Sequence, residues 1–372
     1  MSKPRILIIE NSIAVTGALK SILRSSFYLR DDFEFIFLIP TGSKAAPFIR
    51  EWKFDFHELP MREIRKNVID LILYFPFLFI NALRLFSIVK KNKIDLIVLN
   101  DFYNLIPPVY KLFGGKAPYL SYVRFLPSKF SPWIVKFWMA FHNRYASSII
   151  AVSYAVRKEL PAHNVIVIYN ELPNEEINYT PPKNKVLLYP ANYIAGKGQE
   201  VALHSFSKIH KQFPEWRLRF VGGDMGLPKN VKFKTELVSL AKSLGLEFKI
   251  EMIGYRDFMV DEYVGSGIVL NFSESESFSL TCLESLYFGR PIIATKSGGP
   301  EEIIDDQQTG LLVPIGSIEA MSQAMKFLMA NPDKAEKMAA EGFKRSRIKF
   351  DREFINESIH SAYTSALRKS VS

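Results

Sequence analysis

The 372-residue chain has one cysteine, Cys282. A single thiol excludes an intrachain disulfide framework and a cysteine-based zinc site, and it fits a reducing compartment. Histidine is equally sparse: His57, His142, His163, His204, His210 and His360 are scattered, and no Asp-x-Asp occurs, Glu274-Ser275-Glu276 being the nearest acidic pair. Neither a metal nor a bound cofactor is expected from such a set. The start of the chain, Met1 to Pro4 followed by the strand-like run Arg5 to Glu10, lacks the apolar h-region and cleavage site of a signal peptide, so a cytoplasmic protein is expected. Uninterrupted apolar runs of membrane-spanning length are missing too. The nearest, Asn67 to Lys91, is broken by Asp70, Pro76, Asn81 and Arg84. No helix-turn-helix, RNP or zinc-finger pattern accompanies the net charge of +10, and a nucleic-acid partner is not expected.

What is present is globular: 48% hydrophobic and 23% charged residues, in a chain long enough for two domains with separate cores. The basic excess is unevenly spread. Residues 1–170 hold 23 Lys and Arg against 12 Asp and Glu, a balance of +11, whereas residues 171–372 hold 25 against 26, a balance of −1. A basic first half points toward an anionic partner surface such as a phospholipid leaflet.

Apolar runs rich in Ile, Val, Leu and Phe recur near residues 5–9, 33–39, 94–99, 118–123 and 148–152, with helix-spaced segments between them. That alternation predicts a parallel sheet flanked by helices over residues 1–170. Residues 171–185, ELPNEEINYTPPKNK, are polar, contain three prolines and lack an apolar period, and so read as a linker. The alternation restarts at 186–189, 218–221, 248–252, 268–271, 291–295 and 310–313, predicting a second Rossmann-like domain over 186–350. Residues 351–372 are read as a C-terminal helix that packs back on the first domain.

Two segments of the first half combine apolar bulk with positive charge. Asn67 to Lys91, flanked by Arg62, Arg65, Lys66, Lys90, Lys91 and Lys93, reads either as a helix buried against the sheet or as one lying on an anionic leaflet. In Phe125 to Arg144, Trp133, Phe137, Trp138 and Phe141 mix with Lys129, Lys136 and Arg144, and Ser131-Pro132 supplies a helix start.

The chemistry concentrates in Ser273 to Gly299, SESESFSLTCLESLYFGRPIIATKSGG. A strand at 268–271 ends in a polar loop and a helix begins near Ser279. A second strand, 291–295, then ends in Gly298-Gly299. Both loops open at the carboxyl ends of parallel strands, where open α/β sheets bind ligands. The free backbone N–H groups around Phe278, Ser279, Leu280 and Thr281 suit a diphosphate without any cation. Glu276, before the helix, can accept from sugar hydroxyls, and Glu284, inside it, from a ribose diol. Each role is one of geometry rather than acid-base chemistry. Upstream, ANYIAGKG (Ala191 to Gly198) places Lys197 at a helix start, where a cation opposes the helix dipole unless an anion joins it. Cys282, among apolar neighbours, reads as packing.

The spacing Glu276-x7-Glu284 resembles the E-x7-E motif of glycosyltransferase family 4, the retaining glycosyl transferases group 1. The likeness continues through Phe278-Ser279-Leu280, Gly289-Arg290-Pro291, Gly298-Gly299, Glu302 and Thr309-Gly310-Leu311. It implies an α/β GT-B architecture of two Rossmann-like domains facing across a cleft, an acceptor side in the first and a donor side in the second. It also implies a metal-independent transfer of a hexosyl group from a UDP- or GDP-sugar to a saccharide or lipid-linked acceptor, as in bacterial surface polysaccharide assembly, with retained anomeric configuration. Catalytic roles fall on Glu276, Lys197 and Arg124, and donor contacts on Glu284, Phe278, Ser279, Leu280, Asn192, Gly196, Gly222, Gly254 and Gly17.

Departures from the family pattern accompany the likeness. Asn192 stands where such enzymes carry an arginine five residues before the lysine, leaving Arg290 or a residue of the other domain to compensate. A single glycine, Gly17, replaces the usual pair after the first strand, and Arg124 replaces a histidine, either to bind phosphate or to make a structural ion pair. Gly222-Gly223-Asp224 and Gly254-Tyr255 read as nucleotide-side loops or as plain turns. A nucleotide-sugar epimerase and a non-catalytic nucleotide-sugar-binding module on the membrane are the competing readings.

Overall fold

The computed structural model describes residues 3–61, 68–173 and 175–368. The chain divides into two units, residues 1–171 with 352–372, and residues 172–351. The first is built on strands β1 (Arg5–Ile9), β2 (Glu34–Pro40), β3 (Asp55–Leu59), β4 (Leu96–Leu99), β5 (Tyr119–Val123), β6 (Ser148–Ala151) and β7 (Val165–Val167). They form a parallel sheet in the order β3-β2-β1-β4-β5-β6-β7. The second holds β8 (Val186–Pro190), β9 (Arg217–Val221), β10 (Ile250–Ile253), β11 (Ile268–Asn271), β12 (Ile292–Thr295) and β13 (Gly310–Val313), ordered β10-β9-β8-β11-β12-β13. Central strands such as RILII and IVLN are buried along almost their whole length because helices cover both faces, which is why they read as continuous apolar runs.

Two strands lay outside the sequence reading, β3 and β7, and both are sheet edges. In β3, DFHEL, only Leu59 is buried, and β7 has three residues, so neither carries the apolar run that marks an interior strand.

The segment read as a linker contains the boundary between the two units, and its described residues make specific contacts. Glu171 is buried and accepts a hydrogen bond from Asn356 of the C-terminal helix Arg352–Arg368, which thereby belongs to the first unit along with Tyr363, 5.8 Å from Phe33. From Leu172 onward the segment lies on the second unit. Tyr287 donates its hydroxyl to Glu175 O at 2.5 Å, and Tyr179 meets Phe343 edge to face at 5.4 Å. Its partners are distant in sequence, so a lack of local period says nothing about its order.

The helix Val68–Asn92 is buried along one face and exposed along the other. Tyr74, Leu78, Asn81, Ala82 and Leu85 are buried against the first unit, while Phe75, Phe79, Ile80 and Leu83 are exposed. Arg62, Arg65, Lys66 and Asn67 lie outside the described residues. The helix Pro132–Tyr145 likewise buries Val135, Trp138 and Met139 and exposes Trp133 and Phe137. His142, fully buried, faces Tyr119 Oη through Nδ1 and the Phe102 carbonyl through Nε2, and burial pulls its pKa down to about 4. It is a neutral core residue.

Candidate functional site

The order of the second sheet reverses between β8 and β11, and the loops leaving these neighbours meet at their carboxyl ends. In the first loop Gly196 and Gly198 have φ of +86° and +79°. At Gly198 a Cβ would stand 2.2 Å from the Phe272 carbonyl oxygen, so the loop touches the end of β11 backbone to backbone. Tyr189 fastens the contact, its hydroxyl donating to Lys197 O at 2.5 Å and accepting from Phe272 N at 2.9 Å. Burial pushes this phenol well above its ordinary pKa, which keeps it a donor.

The second loop is tied on both sides. Glu274 N donates to Gly196 O (3.0 Å), Glu276 N to Ser297 O (2.9 Å) and Gly299 N to Glu276 O (2.8 Å). Between the two fixed loops the Lys197 ammonium and the Glu276 carboxylate pair at 2.7 Å, with side-chain exposures of 33% and 15%. Residues 79 positions apart thus become one constellation at the switch point of the sheet.

Beside the pair starts the helix Leu280–Tyr287. Its N-cap, Ser279, has φ +85°, a left-handed conformation that a serine adopts only when its surroundings hold it. Here Asn271 Nδ2 donates to Ser279 Oγ at 2.7 Å, and the same oxygen accepts from Cys282 N at 3.3 Å. The N–H groups of Leu280 and Thr281 remain as the open end of the helix. Glu284 lies one turn inside, accepting from the Tyr263 hydroxyl at 3.1 Å. Cys282 is buried and its thiol is pushed up to about 12, as a packing role requires.

Several expected site residues have partners of their own within the protein. Phe278 is 2% exposed with its ring on Phe350 at 5.8 Å, so only its backbone is available to a ligand. Arg290 does not compensate for Asn192. It is wholly buried, donating from Nε to Tyr263 O (3.0 Å), from Nη1 to Thr180 O (2.8 Å) and from Nη2 to Thr180 Oγ1 (2.7 Å). Asn192 is itself a tie, its Oδ1 accepting from Gly223 N at 2.9 Å and its carbonyl from Gln199 Nε2 at 2.9 Å. Gly222 is required by close approach, since a Cβ there would lie 2.1 Å from Ala191 O, whereas Gly254 has open space around it.

In the first unit the order reverses between β1 and β4, and a buried polar group sits at the ends of β1, β4 and β5. Arg124 donates from Nε to Asn100 Oδ1 (2.7 Å) and from Nη1 to Asn170 Oδ1 (3.0 Å) and Ser21 Oγ (3.4 Å). Asn100 in turn donates to Glu10, and Asp101 is buried beside them, its carboxyl pushed well up by burial. Glu10, Asn100 and Asp101 escaped the sequence reading, although each is a polar residue closing an apolar strand. Gly17 opens the helix Gly17–Tyr28, capped by Thr16, whose Oγ1 accepts from Leu19 N at 3.2 Å. Among the described residues no group of three or more His, Cys, Asp or Glu side chains is placed to hold a metal.

Two parallel α/β halves, each with its polar loops at a switch point, define the GT-B class of fold. The solved structure of Anabaena Alr3699/HepE in complex with UDP and glucose superposes with a TM-score of 0.82 at 19% identity, over 97% of this chain and 100% of that one. Residues 173–345, most of the second unit, match the family described as Glycosyl transferases group 1. An uncharacterised glycosyltransferase of Haemophilus influenzae is 26% identical over 181 residues, 48% of this chain and 49% of its own. The lipopolysaccharide core biosynthesis mannosyltransferase LpsB of Rhizobium meliloti is 24% identical over 247 residues, 62% of this chain and 69% of its own. Curated relatives are matched over part of their length only, 15%, 49% and 36% in three cases.

Proposed function

We propose that this chain is a retaining, metal-independent glycosyltransferase of family 4, which transfers a hexosyl group from a nucleotide-diphosphate sugar, UDP-linked in preference to GDP-linked, to a saccharide or lipid-linked acceptor. The observation that carries the reading is the Lys197–Glu276 pair at the switch point of the second sheet, beside the open start of the helix Leu280–Tyr287. In this reading Lys197 and the N–H groups of Leu280 and Thr281 receive the diphosphate, Glu276 the sugar hydroxyls and Glu284 the ribose diol. The anomeric carbon–oxygen bond to phosphate breaks while the acceptor oxygen bonds to the same face, and the acceptor proton passes to the leaving phosphate. Such a step asks the protein for positioning and charge stabilisation, with no protein nucleophile. The UDP and glucose bound to Alr3699/HepE and the mannosyl transfer in LpsB's name support the donor class and a role in surface glycan assembly. Thermal shift of the purified protein against UDP, GDP, ADP, CMP and dTDP tests the donor half. One nucleoside diphosphate is expected to stabilise it, and the shift is expected to vanish in Glu284→Ala. A protein that no nucleotide stabilises at millimolar concentration is not this enzyme.

The first unit is proposed to take the acceptor and to rest peripherally on the anionic inner face of the cytoplasmic membrane. Phe75, Phe79 and Leu83 recur at helical spacing on an exposed face that Lys90 continues, and Phe79 adjoins the exposed Phe113 at 6.0 Å. Among the described residues no helix is long and apolar enough to cross a membrane, so the contact proposed is interfacial. Wild type is expected to sediment with phosphatidylcholine vesicles containing phosphatidylglycerol and not with phosphatidylcholine alone. The double substitution Phe79→Glu, Leu83→Glu is expected to lower the bound fraction at least about tenfold. Equal binding by the variant would remove this helix from the membrane contact.

A further inference from the structure

Tyr263 belongs to the short helix Val260–Val264, 21 positions before Glu284. Its side chain is wholly buried, and the ring stacks on Phe288 with centroids 5.1 Å apart and planes 23° from parallel. Its carbonyl accepts hydrogen bonds from Ser266 N (3.0 Å), Ser266 Oγ (2.7 Å) and Arg290 Nε (3.0 Å). Arg290 is in turn fixed by two bonds to Thr180. Backbone and ring are therefore both immobilised, and the one polar atom at the end of this scaffold, Oη, donates to Glu284 Oε2 at 3.1 Å. Burial and the adjacent carboxylate hold the phenol well above its ordinary pKa, so the group stays a donor throughout the working range.

We propose that Tyr263 is a positioning residue that orients the Glu284 carboxylate for the ribose diol, so that selectivity for ribose in the donor site runs through a side chain that does not touch the nucleotide. This rests on the reading of Glu284 as the ribose acceptor. A glutamate on a helix has freedom about three side-chain bonds, and it discriminates between sugars only if its oxygens are held where the hydroxyls arrive. The buried hydroxyl supplies that constraint, and a phenylalanine in its place keeps the stacked ring while removing the hydroxyl's contacts to Glu284 and to the Thr281 side chain.

The test is calorimetric titration of UDP and 2′,3′-dideoxy-UDP, or the corresponding GDP pair if GDP is the better ligand, into wild type, Tyr263→Phe, Glu284→Gln and the double variant. Wild type is expected to prefer the ribonucleotide by about ten- to thirty-fold, the value of hydrogen bonds to an ionised acceptor. Tyr263→Phe is expected to keep its affinity for the dideoxy compound and to reduce the preference to about threefold or less. Adding Tyr263→Phe to Glu284→Gln is expected to cost nothing further. Full ribose preference in Tyr263→Phe, with the preference lost in Glu284→Gln, would overturn the role of Tyr263 and leave the ribose reading intact. A wild type indifferent to the diol would overturn both. A loss for the ribo- and dideoxy compounds alike in Tyr263→Phe would make the tyrosine a structural residue only.

Discussion

Replacing Lys197 by alanine is expected to lower nucleoside diphosphate affinity by about ten- to a hundred-fold and sugar transfer by about a thousand-fold, the scale of losing a preorganised charge beside a developing phosphate anion. The loss exceeds that of one contact because of what the lysine faces. Glu276 is 15% exposed and 2.7 Å away, and without the ammonium its carboxylate confronts the incoming diphosphate with no counter-charge between them. The same geometry gives Glu276→Gln an effect of opposite sign on binding. The amide releases Lys197 and removes a negative charge from beside the phosphates, so nucleotide affinity is expected to hold or rise, while transfer falls by about a hundred-fold or more as a charged acceptor of the sugar hydroxyls is lost. Titration and turnover measured on the two variants separate these roles. Parallel losses of binding in both would show that the pair acts as a structural bridge, and wild-type turnover in Lys197→Ala would remove the lysine from the donor site.

The largest expected effect on stability is at Gly198. Alanine there is expected to destabilise the second unit by about 3–5 kcal/mol, combining the left-handed backbone penalty with overpacking against fixed backbone. The contact is unforgiving, since the added Cβ would lie 2.2 Å from Phe272 O and 3.0 Å from Phe272 Cβ, and Phe272 is the residue Tyr189 holds. For a unit of this size the midpoint of thermal unfolding is expected to fall by about 6–20 °C. Two further glycines separate the contributions. Gly245 has φ +69° and nothing within 4 Å, so Gly245→Ala reports the backbone term alone, about 1–2 kcal/mol. Gly196, with φ +86°, would meet only Glu274 Oε2 at 3.3 Å, a movable atom, and is expected to resemble Gly245. Equal losses at all three, measured by denaturant unfolding, would show that the Gly198 contact relaxes.

The legible parts of this protein are those written in local sequence. Interior strands such as β1, β8 and β11 could be placed because burial on both faces demands unbroken apolar runs. Glu276 and Glu284 could be singled out because a strand, a polar loop and a helix follow one another within a few residues. Edges and supports were not legible in the same way. β3 needs no apolar run, and the function of Arg290 is invisible without Thr180, 110 positions away. In sequence Arg290 suggests a ligand contact, but it spends its donors in the core, on the Tyr263 and Thr180 carbonyls and the Thr180 hydroxyl.

Residues 171–185 make the same point from the other direction. Proline and polarity argue against regular structure, yet Glu175, Tyr179 and Thr180 make specific contacts with the rest of the second unit. By itself the sequence determined two parallel α/β halves, the strand ends at which polar loops gather, and which glutamates stand at a helix start, because periodicity and turn chemistry act over short stretches. Only the tertiary structure decided that Lys197 pairs with Glu276, that Arg124 and Arg290 are buried ties, and that Tyr263 reaches Glu284. Those outcomes depend on which loops the order of strands brings side by side, and a parallel sheet joins neighbours that the chain keeps far apart.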